Sequence, residues 1–403
     1  MVFSTVRDDC RDKRRRNADS LLTFCTNFSF NSLAMTANNA SPSLSLSAMR
    51  EIVSDLYSPR PAVYWTDFLL TALVGNSCFA LTRRMDLLVE STSLMWSLRA
   101  VSFTVCCLAF YRMAMFIHEL VHLRADQMRG FRFVWNLLCG VPFLMPTFVY
   151  YTHLDHHRRK HYGTERDGEY LPLGSRSPWF MVLYMAQVLL IPPAAYFRFL
   201  VLSPLGWICP PIRRLVHQRA SSMVMDPSYI RPLPKKRILR VMRIQEFLCF
   251  LWCLGLLVVP LVFLNRWPIP FMLQAYLTGV VILTLNSIRT MGAHRWTHDS
   301  NEAMSFEDQL LDSVNVAKSP WITELWGPVG TRYHALHHLF PTLPYHALAE
   351  AHQRLRENLP ADSPYHKTEN NSLTEVLLEL WKRSLRRGSQ ENPPPSNSAS
   401  QAI

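Results

Sequence analysis

Eight of the fifteen histidines fall into three short groups along the chain. The groups are HELVH (His118, His122), HLDHH (His153, His156, His157) and HALHH (His334, His337, His338). On a helix, residues three or four positions apart share one face, so each group can present its imidazoles to a common point. Neutral imidazole binds iron, copper, nickel or zinc. Because eight ring nitrogens exceed the needs of one ion, the pattern predicts a site for two metal ions.

A further motif, GAHRWTH, lies between the second and third groups and contains His294 and His298. It follows an apolar stretch and emerges beside the predicted site, so we expect His294 to be a ninth ligand, with His298 as the alternative. His161 lies four residues after His157, and we expect it to support the ligands rather than bind metal. Carboxylates often accept a hydrogen bond from the second ring nitrogen of a metal-bound histidine. The candidates for that role are Glu119, Asp155, Asp167 and Glu165.

Long apolar runs along the chain indicate helices that cross a membrane. Residues 246–264 and 268–290 each approach the ~20 residues that span a hydrocarbon core. Only residues 265–267 separate them, which predicts a helical hairpin because unpaired backbone is not tolerated in lipid. Two further candidate spans are residues 62–82 and 93–117, the second of which carries Arg99 and Arg112.

Two other apolar stretches, residues 131–151 and 178–208, are interrupted by prolines. Proline removes a backbone donor and breaks a helix. We therefore interpret both stretches as re-entrant or interfacial segments, with two more full spans as the alternative.

The net charge of +12 does not indicate a nucleic-acid-binding protein, because the basic residues lie between apolar segments and form no aromatic-interleaved face. Nine of them fall in residues 210–245, which the positive-inside rule places on the cytoplasmic side. A chain that enters the hairpin from this loop crosses twice and returns to the same side. We therefore expect all three histidine groups on the cytoplasmic face.

The two ends of the chain differ from its middle in composition. Residues 1–55 combine a charged patch with a polar stretch and are predicted to be a disordered N-terminal extension. Residues 361–403 are predicted to contain an amphipathic helix at 373–387, followed by a disordered tail. The apolar stripe of that helix could lie on a membrane or, as the alternative, pack on the core of the protein itself.

The histidine groups and their flanking residues resemble the three histidine boxes of the membrane fatty acid desaturase family, and most closely its acyl-lipid branch. HLDHHRRKHYGTERDGEYLP at 153–172 is similar to the second box, and HALHHLFPTLPYHALAEAHQRL at 334–355 is similar to the third. HELVH resembles the first box. The resemblance covers roughly residues 60–360, so residues 56–360 are predicted to be the desaturase domain.

The resemblance implies an all-α integral membrane protein with about four transmembrane helices, re-entrant or interfacial segments and a cytosolic cap that holds two iron ions. The implied iron ligands are His118, His122, His153, His156, His157, His294, His334, His337 and His338. One departure is Thr290, where some relatives carry an asparagine one turn before the extra histidine. No HPGG haem motif occurs, so we expect no fused haem or flavin. An external ferredoxin or cytochrome b5 is then the implied electron donor, docking on the basic region 210–245.

The implied activity is introduction of a cis double bond into a lipid acyl chain, using dioxygen and two external electrons. Removal of hydrogen from an unactivated methylene needs metal-activated dioxygen, because no side chain can perform it. A fatty acid, sterol or carotenoid hydroxylase or ketolase on the same scaffold is the nearest alternative. HELVH is also the HExxH signature of zinc proteases, which makes an intramembrane protease a second alternative. A receptor or metal carrier without enzymatic activity is the third.

Overall fold

The computed structural model describes residues 45–391. Within that range the chain forms α-helices joined by turns and short 3-10 or π segments, with isolated β-bridges in place of strands. The predicted all-α fold is confirmed. The predicted disorder of residues 1–44 and 392–403 falls outside the described residues.

The N-terminal part of the fold builds the scaffold of the first histidine box. Its helices are α1 (Leu46–Ile52), α2 (Pro61–Arg84), α3 (Thr92–His122), α4 (Arg129–Trp135) and α5 (His153–His156). Helix α2 begins with proline, whose fixed φ suits the first helical position. It packs along α3, and α3 ends at His122 in the first box.

The two arginines of α3 are paired with carboxylates. Arg112 lies 2.6 Å from Asp67 on α2 and 2.9 Å from Glu324. Arg99 lies 2.9 Å from Asp86. Charges in a membrane helix usually face the protein interior and pair with one another, so both arginines are compatible with a span.

The middle of the chain carries most of the apolar helices. These are α6 (Trp179–Ala186), α7 (Ile191–Phe197), α8 (Ser203–Ile208), α9 (Pro210–Arg219), α10 (Lys236–Phe263) and α11 (Ile269–Met291). In the described part of the chain, α3, α10 and α11 are long and apolar enough to cross a membrane. Residues 179–189 and 191–208 form a pair bent by 49°, which is either a broken fourth span or a re-entrant loop. This gives three to four candidate spans.

The helices differ from the predicted spans at α2 and agree with the predicted break in residues 131–151. Helix α2 has 24 residues, enough length for a span, but it lacks the apolar composition of the other three. Residues 131–151 break into α4, a π segment and a 3-10 turn, so they form no continuous span. Helices α10 and α11 are consecutive, but α11 packs on α3 and α6, whereas α10 packs on the segment 198–208.

The basic region 210–245 is not a loop. It contains α9 and the first turns of α10. Arg231 is buried and donates to the carbonyl of Phe148 at 3.1 Å. This arginine is therefore unavailable to a docking partner, because its charge is enclosed by the protein.

The C-terminal part of the described chain contains the third histidine box. Its helices are α12 (Phe306–Asp312), α13 (Pro320–Trp326), α14 (His334–Leu339), α15 (Leu348–Asn358) and α16 (Leu373–Glu391). Helix α16 confirms the predicted amphipathic helix, but its stripe faces the protein. Val376 and Leu380 are buried, and Leu380 packs in a cluster with Tyr162 and Trp296. The alternative of packing on the protein's own core is the correct one.

Helix α1 lies inside the region predicted to be a disordered extension. Its Met49 and the following Val53 are fully buried, and α1 packs on α15. Asp55 pairs with Arg354 of α15 at 2.6 Å. The predicted disorder is therefore wrong for residues 45–55, because their apolar side chains complete the surface of α15.

Candidate metal centre

All nine histidines nominated from the sequence come together in the fold, in two groups. The first group holds His118, His122, His153, His157 and His337, and the second holds His156, His294, His334 and His338. Within each group the candidate ligand atoms lie within 4.8 Å of one another. Each group can therefore hold one metal ion.

The division between the groups follows the spacing inside each box. Histidines four residues apart share a group in every box: 118 with 122, 153 with 157, and 334 with 338. The histidine that lies three residues from the first member, His156 or His337, joins the other group. The expectation that each box converges on one point is therefore wrong for the second and third boxes. Each of these boxes bridges both sites.

The ring nitrogens in the second group face one another at metal-ligand spacing. The Nε2 atom of His294 lies 2.8 Å from Nε2 of His334 and 3.2 Å from Nε2 of His156. Nitrogens bound at ~2.1 Å to one ion, at right angles, are about 3.0 Å apart. The first group repeats this spacing, with His337 3.1 Å from His122 and 3.2 Å from His157.

Two carboxyl groups lie within hydrogen-bond distance of Nδ1 atoms of candidate ligands. Asp167 lies 2.8 Å from Nδ1 of His156, and Glu169 lies 2.8 Å from Nδ1 of His153. An Nδ1–H that donates to a carboxylate leaves a lone pair on Nε2. Lone pairs that face one another at about 3 Å repel, and a cation between them removes the repulsion. The donor set therefore fits a bound metal ion.

His294 is oriented through a tyrosine. The Tyr162 hydroxyl donates to Asp312 at 2.8 Å, and its oxygen lies 2.8 Å from Nδ1 of His294. Burial raises the pKa of Tyr162, and the adjacent Asp312 raises it further, so the hydroxyl keeps its proton. His294 Nδ1 can then donate to the tyrosine oxygen, which again leaves Nε2 free for metal.

The pKa shifts of most candidate ligands outside α3 also suit metal binding, with His156 as the exception. Burial lowers the pKa of five of them, and neighbouring imidazoles lower it further, so these rings are neutral: His153, His157, His334, His337 and His338. Burial also opposes the charged form of His156, but Asp167 outweighs it and raises the pKa. Neutral imidazole is the form that binds metal.

One extended segment positions both His294 and the third box. Helix α11 ends at Met291 and is followed by Gly292, and His294 then forms an antiparallel bridge with Ser313. Two residues further on, the Asn315 side chain accepts from the backbone N–H of Leu336 in α14 at 3.1 Å. Asn315 is fully buried and also donates to Thr368 at 3.0 Å. The segment 312–316 therefore connects the two parts of the second group.

Three of the four carboxylates nominated from the sequence do not contact a ligand histidine. Glu119 accepts from the Tyr64 hydroxyl and from the backbone N–H of Tyr345. Asp155 pairs with Arg158 at 2.6 Å. Glu165 is exposed. Asp167 is the nominee that contacts one.

The two additional histidines nominated from the sequence lie outside both groups. His161 is 3.3 Å from Asp155. His298 contacts the Glu302 carbonyl at 2.8 Å.

The sequence analysis did not identify Glu169 or the residues that support His294 and the third box. Glu169 lies only two residues after Asp167, in the same polar run, and this proximity was an available signal. Tyr162, Asp312 and Asn315 carried no such signal. Their roles depend on contacts between distant parts of the chain.

Comparison with known proteins agrees with this geometry. The family model described as fatty acid desaturase matches residues 94–369. The chain is also 36% identical over 376 residues to a protein named ceramide hydroxylase from Caulobacter vibrioides (strain NA1000 / CB15N). That alignment covers 91% of this chain and 100% of the relative. An all-helical fold, candidate membrane spans and clustered histidines accompany these matches, and the chain belongs to the fatty acid desaturase family.

Proposed function

We propose that this protein is a membrane di-iron oxygenase that hydroxylates a ceramide-type lipid. The observation that carries the choice of hydroxylation is the similarity to a ceramide hydroxylase along the whole length of that relative. The choice of a two-metal oxidation rests on the two histidine groups. Family membership already supports an oxidoreductase that acts on lipids.

The nine grouped histidines are the proposed metal ligands, five for one iron ion and four for the other. The absence of thiolate ligands from these groups and the all-nitrogen donor set suit iron in a non-sulfur site. When bound and reduced by an external donor, such a metal pair supplies the dioxygen chemistry that breaks an unactivated C–H bond.

The protein's own residues hold the ligands and the protons in place. Asp167 and Glu169 orient His156 and His153 through their Nδ1 atoms. The Tyr162 and Asp312 pair performs the same task for His294. Most of the ligand rings are buried, which keeps bulk water from the site and limits oxidation of anything other than the bound lipid.

Desaturation of an acyl chain is the second candidate, and the family match favours it. Both reactions begin with removal of hydrogen from a methylene carbon. The outcome then depends on whether an oxygen atom is transferred or a second hydrogen is lost from the adjacent carbon. Ångström-scale placement of the lipid decides between these outcomes.

The protease alternative loses support from the environment of Glu119. That glutamate would have to activate a metal-bound water, but it is buried and accepts hydrogen bonds from Tyr64 and Tyr345. It belongs to neither histidine group. In a protease, the second histidine group would also have no function.

The electron donor and the membrane orientation are part of the proposal. An external ferredoxin or cytochrome b5 would supply two electrons per turnover. The histidine groups would face the cytoplasm, where such donors are reduced. The basic region 210–245 remains the proposed docking region, without the buried Arg231.

The decisive experiment is expression in a host that is fed ceramide, followed by mass spectrometry of the extracted lipids. Hydroxylation adds one oxygen atom to the product, whereas desaturation removes two hydrogen atoms. His337→Ala is the inactive control, because it removes a proposed ligand of the first group. A lipid pool that loses hydrogen without gaining oxygen would establish the second candidate. Unchanged lipids with iron fully loaded would contradict both.

A further inference from the structure

A cavity of about 700 Å³ lies next to α6 and near the candidate metal centre. Its size is within the range of cavities that bind small ligands. It is half open and is lined by the segment after the second box, by α6, by the turn around Asp226 and by the segment after His294. Its apolar and aromatic lining includes Tyr170, Phe180, Tyr184 and Met225.

The cavity borders a surface that suits lipid. Helix α6 belongs to the bent pair that is a broken span or a re-entrant loop. Trp179 and Leu183 on this helix are 69% and 62% exposed. Aromatic and aliphatic side chains exposed in this way are typical of the boundary between membrane and water. A lipid can therefore keep its chains among apolar side chains while its head enters the cavity.

One lining residue of the cavity, Tyr170, lies close to the second histidine group. Tyr170 lines the cavity, and its ring centroid is 5.3 Å from that of Tyr162 and 6.2 Å from that of His294. A group bound against Tyr170 is therefore held close to the proposed metal ligands. The cavity is positioned to place a substrate for the reaction.

The charges that line the cavity discriminate between types of lipid head. Three carboxylates line it, those of Glu165, Asp226 and Asp299, against one guanidinium, that of Arg176. Arg176 lies over the Phe180 ring, with its guanidinium carbon 5.0 Å from the ring centroid. An excess of carboxylates repels a phosphate at short range. Carboxylates and the Ser228 and Asn301 side chains can accept hydrogen bonds from hydroxyl and amide groups.

We infer that this cavity binds the polar head of the lipid substrate and selects an uncharged head with hydroxyl and amide groups over a phosphorylated one. The inference rests on the proposed function, since it names the place where the substrate of that reaction is recognised. It also excludes coenzyme A thioesters and phospholipids as preferred substrates, because both carry phosphate at the head.

The test measures binding of ceramide and of ceramide 1-phosphate with the same chains to the metal-loaded enzyme, by native mass spectrometry in detergent. The wild-type protein is expected to prefer ceramide about tenfold. Ser228→Trp places a large ring at a lining position of the cavity and is expected to weaken ceramide binding about tenfold. Ser54→Trp places the same bulk at an exposed serine away from the cavity and leaves binding unchanged.

A charge reversal keeps the inference testable if the tryptophan variant folds poorly. Glu165→Lys is expected to reduce the preference for ceramide by about threefold or more, because it replaces a repelling charge with an attracting one. Glu90→Lys makes the same change at an exposed glutamate outside the cavity and leaves the preference intact.

Equal affinity for the two lipids, or a preference that Glu165→Lys and Glu90→Lys change alike, would overturn the inference. Because binding is measured without turnover, the two proposals fail separately. Selective binding with no oxidised product contradicts only the proposed function. Hydroxylation by a protein whose binding ignores the cavity variants contradicts only the cavity assignment.

Discussion

His157 and His338 stack on one another, with ring centroids 4.2 Å apart and ring planes 24° apart. The two rings belong to different histidine groups, so this stack is a point where the two proposed metal sites meet. Each ring also lies four residues from a partner in its own group, His153 or His334. The two proposed sites are therefore in direct contact through these rings.

His122→Ala is expected to reduce bound iron from about two ions per chain to about one or fewer and to abolish activity, because it removes a nitrogen from the first group. Elemental analysis of purified protein measures the iron content. His366→Ala is the control, since His366 lies outside both groups and contacts the Pro360 carbonyl at 3.0 Å. Full iron content in the His122 variant would refute its role as a ligand.

Asp167→Asn is expected to weaken metal binding about 10- to 100-fold, because it removes the charge that orients His156. Competition with a metal chelator measures the affinity. The matched change Asp155→Asn is expected to leave the affinity within a few fold, since Asp155 pairs with Arg158 and contacts no ligand histidine. Equal effects of the two substitutions would contradict the assignment of Asp167.

Asn315→Ala is expected to lower the free energy of unfolding by about 1–3 kcal/mol, because the buried N–H of Leu336 loses its acceptor. The same change loosens the start of α14, so the second metal should bind less tightly. Thermal unfolding in detergent and iron content are the two measurements. Asn358→Ala, at an exposed position of α15, is the control. A stable variant that loads metal normally would show that Asn315 does not position the box.

Glu119→Gln is expected to retain both metals and lipid oxidation within a few fold. Tyr64 and Tyr345 donate to the same oxygen of Glu119, and an amide oxygen can accept both hydrogen bonds. Product formation and metal content are measured together. A protease would instead lose its general base. Loss of activity with metal fully retained would return the protease alternative to consideration.

His352 is expected to make stability depend on pH. Burial lowers its pKa from 6.5 to about 4, and its Nδ1 contacts the Tyr365 hydroxyl at 2.7 Å. The folded state therefore binds this proton less readily than the unfolded state does. The contribution of neutral His352 to the free energy of unfolding is complete above about pH 6.5. As the pH falls towards 4, the free energy of unfolding decreases by up to about 3 kcal/mol.

The His352→Gln variant isolates this effect. The difference in unfolding temperature between wild type and variant, measured on metal-loaded protein, should change between pH 7.5 and 4.5 in favour of the variant. A difference that is the same at both pH values would show that His352 does not titrate in this way. Other titrating groups are shared by the two proteins and cancel in the comparison.

Much of the helical structure was predictable because it depends on residues close together in the chain. The apolar runs predicted α3, α10 and α11, and the periodic stripe predicted α16. The end of α14 at Leu339 is local in the same sense, because a residue before proline, here Phe340, disfavours the helical conformation. Hydrophobic length and helical periodicity are local quantities. The partners of these helices are not local quantities, and the sequence did not indicate that α11 packs on α3 and α6.

The sequence by itself predicted a multi-histidine metal site, because imidazoles at spacings of three and four residues are a chemical pattern that needs no fold to be recognised. Only the tertiary structure decided how they divide, with His156 and His337 joining the opposite group from their neighbours. Only the fold also brought Asp312 and Asn315 to the site and turned Glu119 towards Tyr64. Contacts between residues far apart in the chain are set by how the helices pack, and no local pattern records them.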